Sequence, residues 1–328
     1  MIPFLPLDTE RVVPFAQLVD DTSAYGLWQG QSVSIDGPTT FAALAGKGHR
    51  IPTGIGVGLM PLHHPYLAAV QARGLAATTG QPVVAGFGPA AKSFQAAVLG
   101  SPYKSQLTAI NEYVTIVRNL LNKGISNFEG EYFSCSTALT PMDLPKIEIG
   151  LGVLRPRMAR LAGEIADAAI TWITPASYLE QTVKPALESG ALSPRIVAMV
   201  PGALETRHRS PRDLVLAGNS GHLRLPHYQA MLREAGGEVS PTDIAHNADE
   251  LLRLGGFMYG DESALAEKIR RFEHVGVDEL VVNCTAVTNV FGLAAGLREA
   301  RRIVEIATEV TQETSTTQET HTKGLISL

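Results

Sequence analysis

Short apolar runs alternate with amphipathic stretches along almost the whole chain. After a brief start near Ile2–Leu7, the runs GLWQG (Gly26–Gly30), TGIGVGLM (Thr53–Met60), PVVAGFG (Pro82–Gly88), KIEIGLG (Lys146–Gly152), AAITWI (Ala168–Ile173), RIVAMVPG (Arg195–Gly202) and ELVVNC (Glu279–Cys284) read as strands. They lack the alternation of a half-exposed sheet, so the pattern predicts parallel strands covered on both faces. Helical spacing fills the intervals. Val12, Phe15, Ala16 and Val19 share one face of Glu10–Tyr25; TTFAALAGKG and PYLAAVQARGLAATTG are further helices, the second ending at a glycine. Leu107, Ile110, Val114, Val117 and Leu121 mark the clearest amphipathic helix, and Met158, Leu161, Ala162 and Ile165 mark another. Leu265, Ile269, Phe272 and Val275, then Leu297–Val310, complete the series. Thr174–Pro175, Ser210–Pro211 and Ser240–Pro241 each pair a capping hydroxyl with a proline suited to a first helical turn.

About eight strand–helix units predict an α/β fold of the (β/α)8 barrel type. A doubly wound open sheet fits less well, because the strands do not divide into two halves. One domain is expected over residues 1–310, with an inserted helical segment at about 205–255. The tail 311–328, TQETSTTQETHTKGLISL, is polar, repeats TQET and is expected to be disordered.

Composition narrows the function. Of 328 residues, 45% are hydrophobic and 18% charged, enough for a large core. A net charge of −5 without a basic run argues against nucleic-acid binding. No apolar stretch reaches spanning length and the N-terminus lacks a signal-like pattern, so a cytoplasmic protein without membrane contact is expected. Cys135 and Cys284 have no CxxC spacing and read as core thiols. The chain has no Walker loop, GxSxG elbow or HExxH motif. His63–His64 are adjacent and His222 and His227 straddle Pro226 without ligand spacing, so no metal site is expected.

In a barrel, chemistry sits where strands end at their C-termini. Four such ends are rich in glycine or unusual in polarity: LWQGQS (Leu27–Ser32), GVGLMPLHHP (Gly56–Pro65), GFGPAAK (Gly86–Lys92) and GLGVLRPRM (Gly150–Met158). Glycines there let a flat ligand approach the backbone closely. GFGPAA satisfies a GxGxxA pattern, but Pro89 interrupts the turn and no ribose-binding acid follows. In GLGVLRPRM a strand hands over to a helix between two arginines. The helix start offers free N–H groups and a positive dipole end, and Arg155 and Arg157 add phosphate donors.

The stretch PKIEIGLGVLRPRMARLAGEIADAAITWITP resembles the luciferase-like flavin and deazaflavin oxidoreductases, and most of all the branch that uses coenzyme F420. Pro156, Arg157, Met158 and Leu161–Glu164 fit that branch's Gly-Pro-Arg-Met helix start, with Arg155 in place of the glycine. MPLHHPYLAAVQARGLAATTGQPVVAGFG, EYVTIVRNLLNKGISNFEGEYF and GDESALAEKIRRFEHVGVDELVVNC are similar to further family segments, so the resemblance spans about Val12 to Ala307. It implies a bacterial-luciferase-like barrel holding coenzyme F420, or alternatively FMN, in its mouth. The implied cofactor contacts are Trp28, a cis-peptide region at Gly58, Leu59 and Met60, then Gly86, Gly88 and Lys92, and a phosphate grip at Gly152, Leu154, Arg155, Pro156, Arg157 and Met158. Several F420 enzymes carry an acid–histidine pair after the second strand; here Trp28–Ser32 stand instead. Gln31, His63 and His64 become the catalytic candidates, and Ser32 and Trp172 the substrate-facing ones. The resemblance implies hydride transfer to a small-molecule or peptide substrate, such as an activated alkene of the dehydroamino-acid kind, by a homodimer. An FMN-dependent monooxygenase and a catalytically silent cofactor-binding barrel are the alternatives.

Overall fold

The computed structural model describes residues 1–317 and 325–328. Seven parallel strands follow one another around the sheet: β1 (Leu27–Gln29), β2 (Thr53–Leu59), β3 (Val83–Gly88), β6 (Ile147–Gly152), β7 (Ala168–Trp172), β8 (Arg195–Leu204) and β10 (Glu279–Asn283). A hairpin of β4 (Ile125–Glu129) and β5 (Ser134–Ala138) stands apart, and β9 (Met258–Gly260) extends the end of β8. The buried apolar runs of the sequence are these strands, and the fold is a barrel of the expected class.

The eighth stave comes from the end of the chain. β11 (Leu325–Ser327) pairs parallel with β10, Glu279 opposite Leu325 and Val281 opposite Ser327. On its other side the Tyr25 N–H donates to Ile326 O at 2.7 Å, Leu328 N–H to Gly26 O at 2.9 Å, and Trp28 N–H to Leu328 O at 2.5 Å. Above it the Met1 amino group donates to Val282 O at 2.6 Å and Ile2 N–H to Trp28 O at 2.8 Å. The brief start near Ile2–Leu7 is reduced to these first contacts and forms no strand. The expected disordered tail is corrected as well. Residues 311–317 continue a helix and 325–328 are built into the sheet, while 318–324 lie outside the described residues. Ile326 and Leu328 are buried, and that apolar pair anchors the strand.

Helices cover the ring: α1 (Val13–Asp21), α2 (Gly37–Gly46), α3 (Pro65–Thr79), α4 (Lys92–Leu99), α5 (Gln106–Lys123), α6 (Pro156–Ile165), α7 (Ala176–Tyr178), α8 (Lys184–Glu188), α12 (Glu262–His274), α13 (Thr285–Phe291) and α14 (Leu293–Thr317). Between α7 and α8 the helix makes a π turn over Leu179–Val183, just before Pro185 removes a backbone donor. Thr174 does not cap α7: its hydroxyl donates to Trp172 O, and Pro175 holds the cap position. Between β8 and β9 lie α9 (Pro211–Leu223), capped by Ser210, α10 (Pro226–Glu234) and α11 (Ile244–Leu254), capped by Asp243. The Glu112 carboxylate of α5 accepts the N–H groups of Glu131, Tyr132 and Phe133 and so fixes the β4–β5 hairpin against the barrel.

Inside the ring, Trp28, Val84, Ala168, Ile170, Val197, Met199 and Val281 form a closed apolar cluster. Below it, charges at the strand starts neutralise one another. The Arg195 guanidinium donates to Glu148 at 2.7 Å and to Glu279 at 2.5 Å, and the Trp28 indole N–H donates to the other Glu279 oxygen at 2.6 Å. Burial opposes ionisation of Glu148, yet hydrogen bonds from Lys146 and Arg195 hold its carboxyl below the usual carboxylate range.

Candidate active site

Three half-buried apolar side chains, Met1, Val57 and Trp172, rest on the inner cluster and form the floor of the barrel mouth. Val57 is delivered by an irregularity in β2. The Gly56–Val57 peptide is cis, and the β2–β3 register shifts between Ile55 and Gly58. A Cβ at Gly88 would lie 2.9 Å from Val57 Cγ2, so that glycine makes room for Val57. At Gly86 a Cβ would first meet Ile55 O, then Ile170 Cδ1 at 2.5 Å, with Val57 Cγ1 at 3.2 Å, and at Gly152 it would sit in ordinary contact with Val57.

Beside this floor, Gln31 ties the loop after β1 to the end of β2. Its carbonyl oxygen accepts from Leu59 N–H at 3.1 Å and its amide nitrogen donates to Ser32 O at 3.0 Å. The Ser32 hydroxyl oxygen accepts from Ser34 N–H, shaping the same loop. Gln31, Gly58, Leu59 and His63 also line a cavity of about 60 Å³ between the β2–β3 sheet and α2–α3.

Across the mouth, α6 begins at Pro156 with no side-chain cap. Arg155 donates to Glu234 of α10 at 3.0 Å, and the Tyr178 hydroxyl donates to the second Glu234 oxygen at 2.8 Å. Arg157 is exposed and its guanidinium has no partner among the described residues. The inserted helices come down next to this point. The His222 imidazole of α9 lies 5.5 Å from the Trp172 ring and 5.2 Å from Tyr228, and His227 packs 4.8 Å from Tyr228. Burial, reinforced by His227, pushes His222 down to about 4, so its imidazole is neutral near pH 7. Burial and the charge of Arg155 also lower His227.

Residues 6–279 match the family model of the luciferase-like monooxygenases. The chain belongs to the luciferase-like monooxygenase family. Solved structures share the fold at low identity. The coenzyme F420-dependent tetrahydromethanopterin reductase of Methanopyrus kandleri is 17% identical, with 93% of this chain and 97% of that chain covered and a TM-score of 0.69. An F420-dependent secondary alcohol dehydrogenase, solved with an F420–acetone adduct, is 15% identical over 90% and 95% of the two chains, TM-score 0.68. The EDTA monooxygenase of Chelativorans sp. BNC1 is 14% identical over 97% and 90%, TM-score 0.67. The protein is thus an oxidoreductase of the luciferase-like kind, in a family with F420- and flavin-dependent neighbours.

On this luciferase-like barrel several expected positions shift. The cis peptide lies at Gly56–Val57, ahead of Gly58–Met60, and Met60 is 1% exposed within the outer core. Trp28 is 2% exposed, bound to Glu279 below the mouth, and meets the ligand side only through the floor it supports. Gly88 makes room for Val57, Gly86 for Ile55 and Ile170, and Gly152 lies in ordinary contact distance of Val57. His64 is a helix cap: Nδ1 accepts from Tyr66 N–H and Nε2 lies 3.2 Å from Ser134 O. Lys92 is the exposed first residue of α4, while Leu154 and Met158 are half-buried against the core. Of the phosphate candidates, Arg157 and the start of α6 at Pro156 remain open, whereas Arg155 is committed to Glu234. Sequence reasoning missed Val57, Glu234, Asn219 and the role of His222. Asn219 and His222, three apart on α9, carried only the signal of two polar residues on one helical face.

Cys135 and Cys284 are free and buried, and burial pushes the Cys284 thiol up to about 12. Among the described residues no helix is long and apolar enough to cross a membrane, and no three metal-ligating side chains cluster.

Proposed function

We propose that the protein is a coenzyme F420-dependent reductase acting on a small-molecule or peptide substrate with an activated double bond, of which a dehydroamino acid is one example. The observation that carries this is an unpartnered arginine at an uncapped helix start beside an apolar floor. Arg157 and the first turn of α6 supply charge and N–H groups for a phosphate ester, and Val57, Trp172 and Met1 supply the dry surface a ring system needs. The residues present therefore fit a phosphate-bearing deazaflavin. When bound, such a coenzyme supplies one hydride, that is, two electrons with one proton, and reacts poorly with oxygen. Two proteins of the same fold are F420-dependent, which supports F420 as the first coenzyme to test.

The chain's own residues orient and shield. Val57 and Trp172 exclude water from one face of the mouth. Gln31, with both ends of its amide engaged, holds the β1 loop to β2 and offers no acid. His63, free among the described residues and lining the adjoining cavity, is the imidazole placed to hold the accompanying proton. A homodimer is part of the proposal.

Titration of reduced F420 and of reduced FMN, followed by absorbance, tests it. Reduced F420 is expected to bind more tightly, and Arg157→Ala to weaken it by about 10- to 100-fold, the loss of a charged hydrogen bond. Tight FMN binding with oxygen-dependent turnover would make the enzyme a monooxygenase. F420 binding without reoxidation by any acceptor in a broad alkene, imine and carbonyl screen would make it a silent barrel.

A further inference from the structure

The mouth holds a second set of unsatisfied groups that a phosphate grip does not explain. The Trp172 indole nitrogen is buried and has no hydrogen-bond partner among the described residues. On α9, Asn219 is 1% exposed, and neither its amide nitrogen nor its carbonyl oxygen has a partner among the described residues. His222, one turn further on, presents its ring to Trp172, and its imidazole likewise makes no hydrogen bond among the described residues. A buried polar group left unpaired costs about 1–3 kcal/mol, and the two residues that carry one here flank the half-buried His222, Trp172 across a ring contact and Asn219 one turn away on α9.

Their chemistry selects a ligand class. An indole N–H only donates; a neutral imidazole and a carboxamide each donate and accept. None carries charge at neutral pH, and the nearby Arg155 is already neutralised by Glu234. An anion would meet no free cation at these three groups, and a cation would meet no carboxylate. A planar group with one acceptor and one donor satisfies the set: a carbonyl oxygen toward Trp172 Nε1–H and an N–H toward Asn219 Oδ1 or the bare nitrogen of His222.

We infer that Trp172, Asn219 and His222 form a recognition site for an uncharged amide group of the substrate. This deepens the reductase reading by naming the group that positions the reducible bond, and it rests on that reading for the chemistry. The inserted helices then act as the specificity element of the barrel: α9 carries two of the three contacts and β7 the third.

The chain has two tryptophans, so ¹⁵N labelling gives two indole N–H resonances, and Trp172→Phe assigns them. N-acetylglycinamide titrated into the cofactor-free protein is expected to move the Trp172 resonance saturably while Trp28, bonded to Glu279, stays in place. Acetate and tetramethylammonium at the same concentrations are expected to move neither. Asn219→Leu is expected to weaken the amide by about five- to tenfold, the loss of one neutral hydrogen bond. Saturation-transfer spectra of N-acetylglycinamide with Trp172→Phe, which keeps an aromatic ring and deletes the N–H, are expected to show the same loss. A Trp172 resonance that stays still, or that follows acetate equally, overturns the inference. So does displacement of the amide by reduced F420 or FMN, because the groups would then belong to the coenzyme. Coenzyme binding alongside the amide supports it. If neither coenzyme binds, the reductase reading fails, and the titration of the cofactor-free protein still decides the amide site.

Discussion

The two tryptophans of this chain occupy opposite ends of one barrel and are treated in opposite ways. Trp28, at the strand starts, gives its indole N–H to Glu279, which also binds Arg195, which in turn binds Glu148. Trp172, at a strand end, keeps its N–H unpaired among the described residues beneath helices that bring an equally unpaired imidazole and carboxamide. A folded chain tolerates few unpaired buried groups. Unpaired buried atoms occur at both ends, Thr53 Oγ1 at the start of β2 among them, so the contrast lies in the charges: the closed end ties Glu148, Arg195, Glu279 and Trp28 into one network, and the open end leaves Trp172 outside any such network among the described residues.

That contrast is sharpest under substitution. Glu279→Leu would strand the Arg195 charge and is expected to cost about 3–5 kcal/mol in urea unfolding, the range for half of a buried pair removed. A cost near zero would mean that the network is solvated and that the two ends do not differ in kind. Trp28→Phe is expected to lose about 1.5–3 kcal/mol, because it removes a hydrogen bond to a charged acceptor. Trp172→Phe removes a donor without a partner and is expected to stay within about 0.5 kcal/mol of the parent. Equal costs for the two would erase the comparison.

Acid gives an effect between those of the two tryptophan substitutions. Burial holds the His222 pKa at about 4 in the folded state against an ordinary value of 6.5, so the unfolded chain takes up the proton first. Stability from this group is complete above pH 6.5 and falls as pH drops toward 4. Between pH 7 and pH 5 a loss of about 1–2 kcal/mol is expected, and His222→Phe should remove that slope. An unchanged slope would place the histidine in water.

Much of the frame was legible because buried parallel strands write continuous apolar runs, and seven of them stand out from GLWQG to ELVVNC. The eighth did not, because Leu325–Ser327 is three residues long, follows a polar repeat, and owes its structure to β10 and β1 far away in sequence. The R-P-R turn raised the expectation of an anion site through local chemistry alone. That Arg155 is already engaged could not be read, since Glu234 lies 79 residues downstream inside the insertion. Glycines at the strand ends were legible as a need for space. What fills that space at Gly88, Val57, depends on how β2 bends. Asn219 and His222 look like ordinary helix residues until α9 is laid against β7.

Placing the eighth stave in residues 325–328 has a consequence for how the ring closes. Until that short segment docks, the sheet keeps two raw edges, with backbone groups on β1 and β10 open to stray pairing. Closure of this barrel therefore hangs on a few residues held between β10 and β1, and detaching them would open both edges at once.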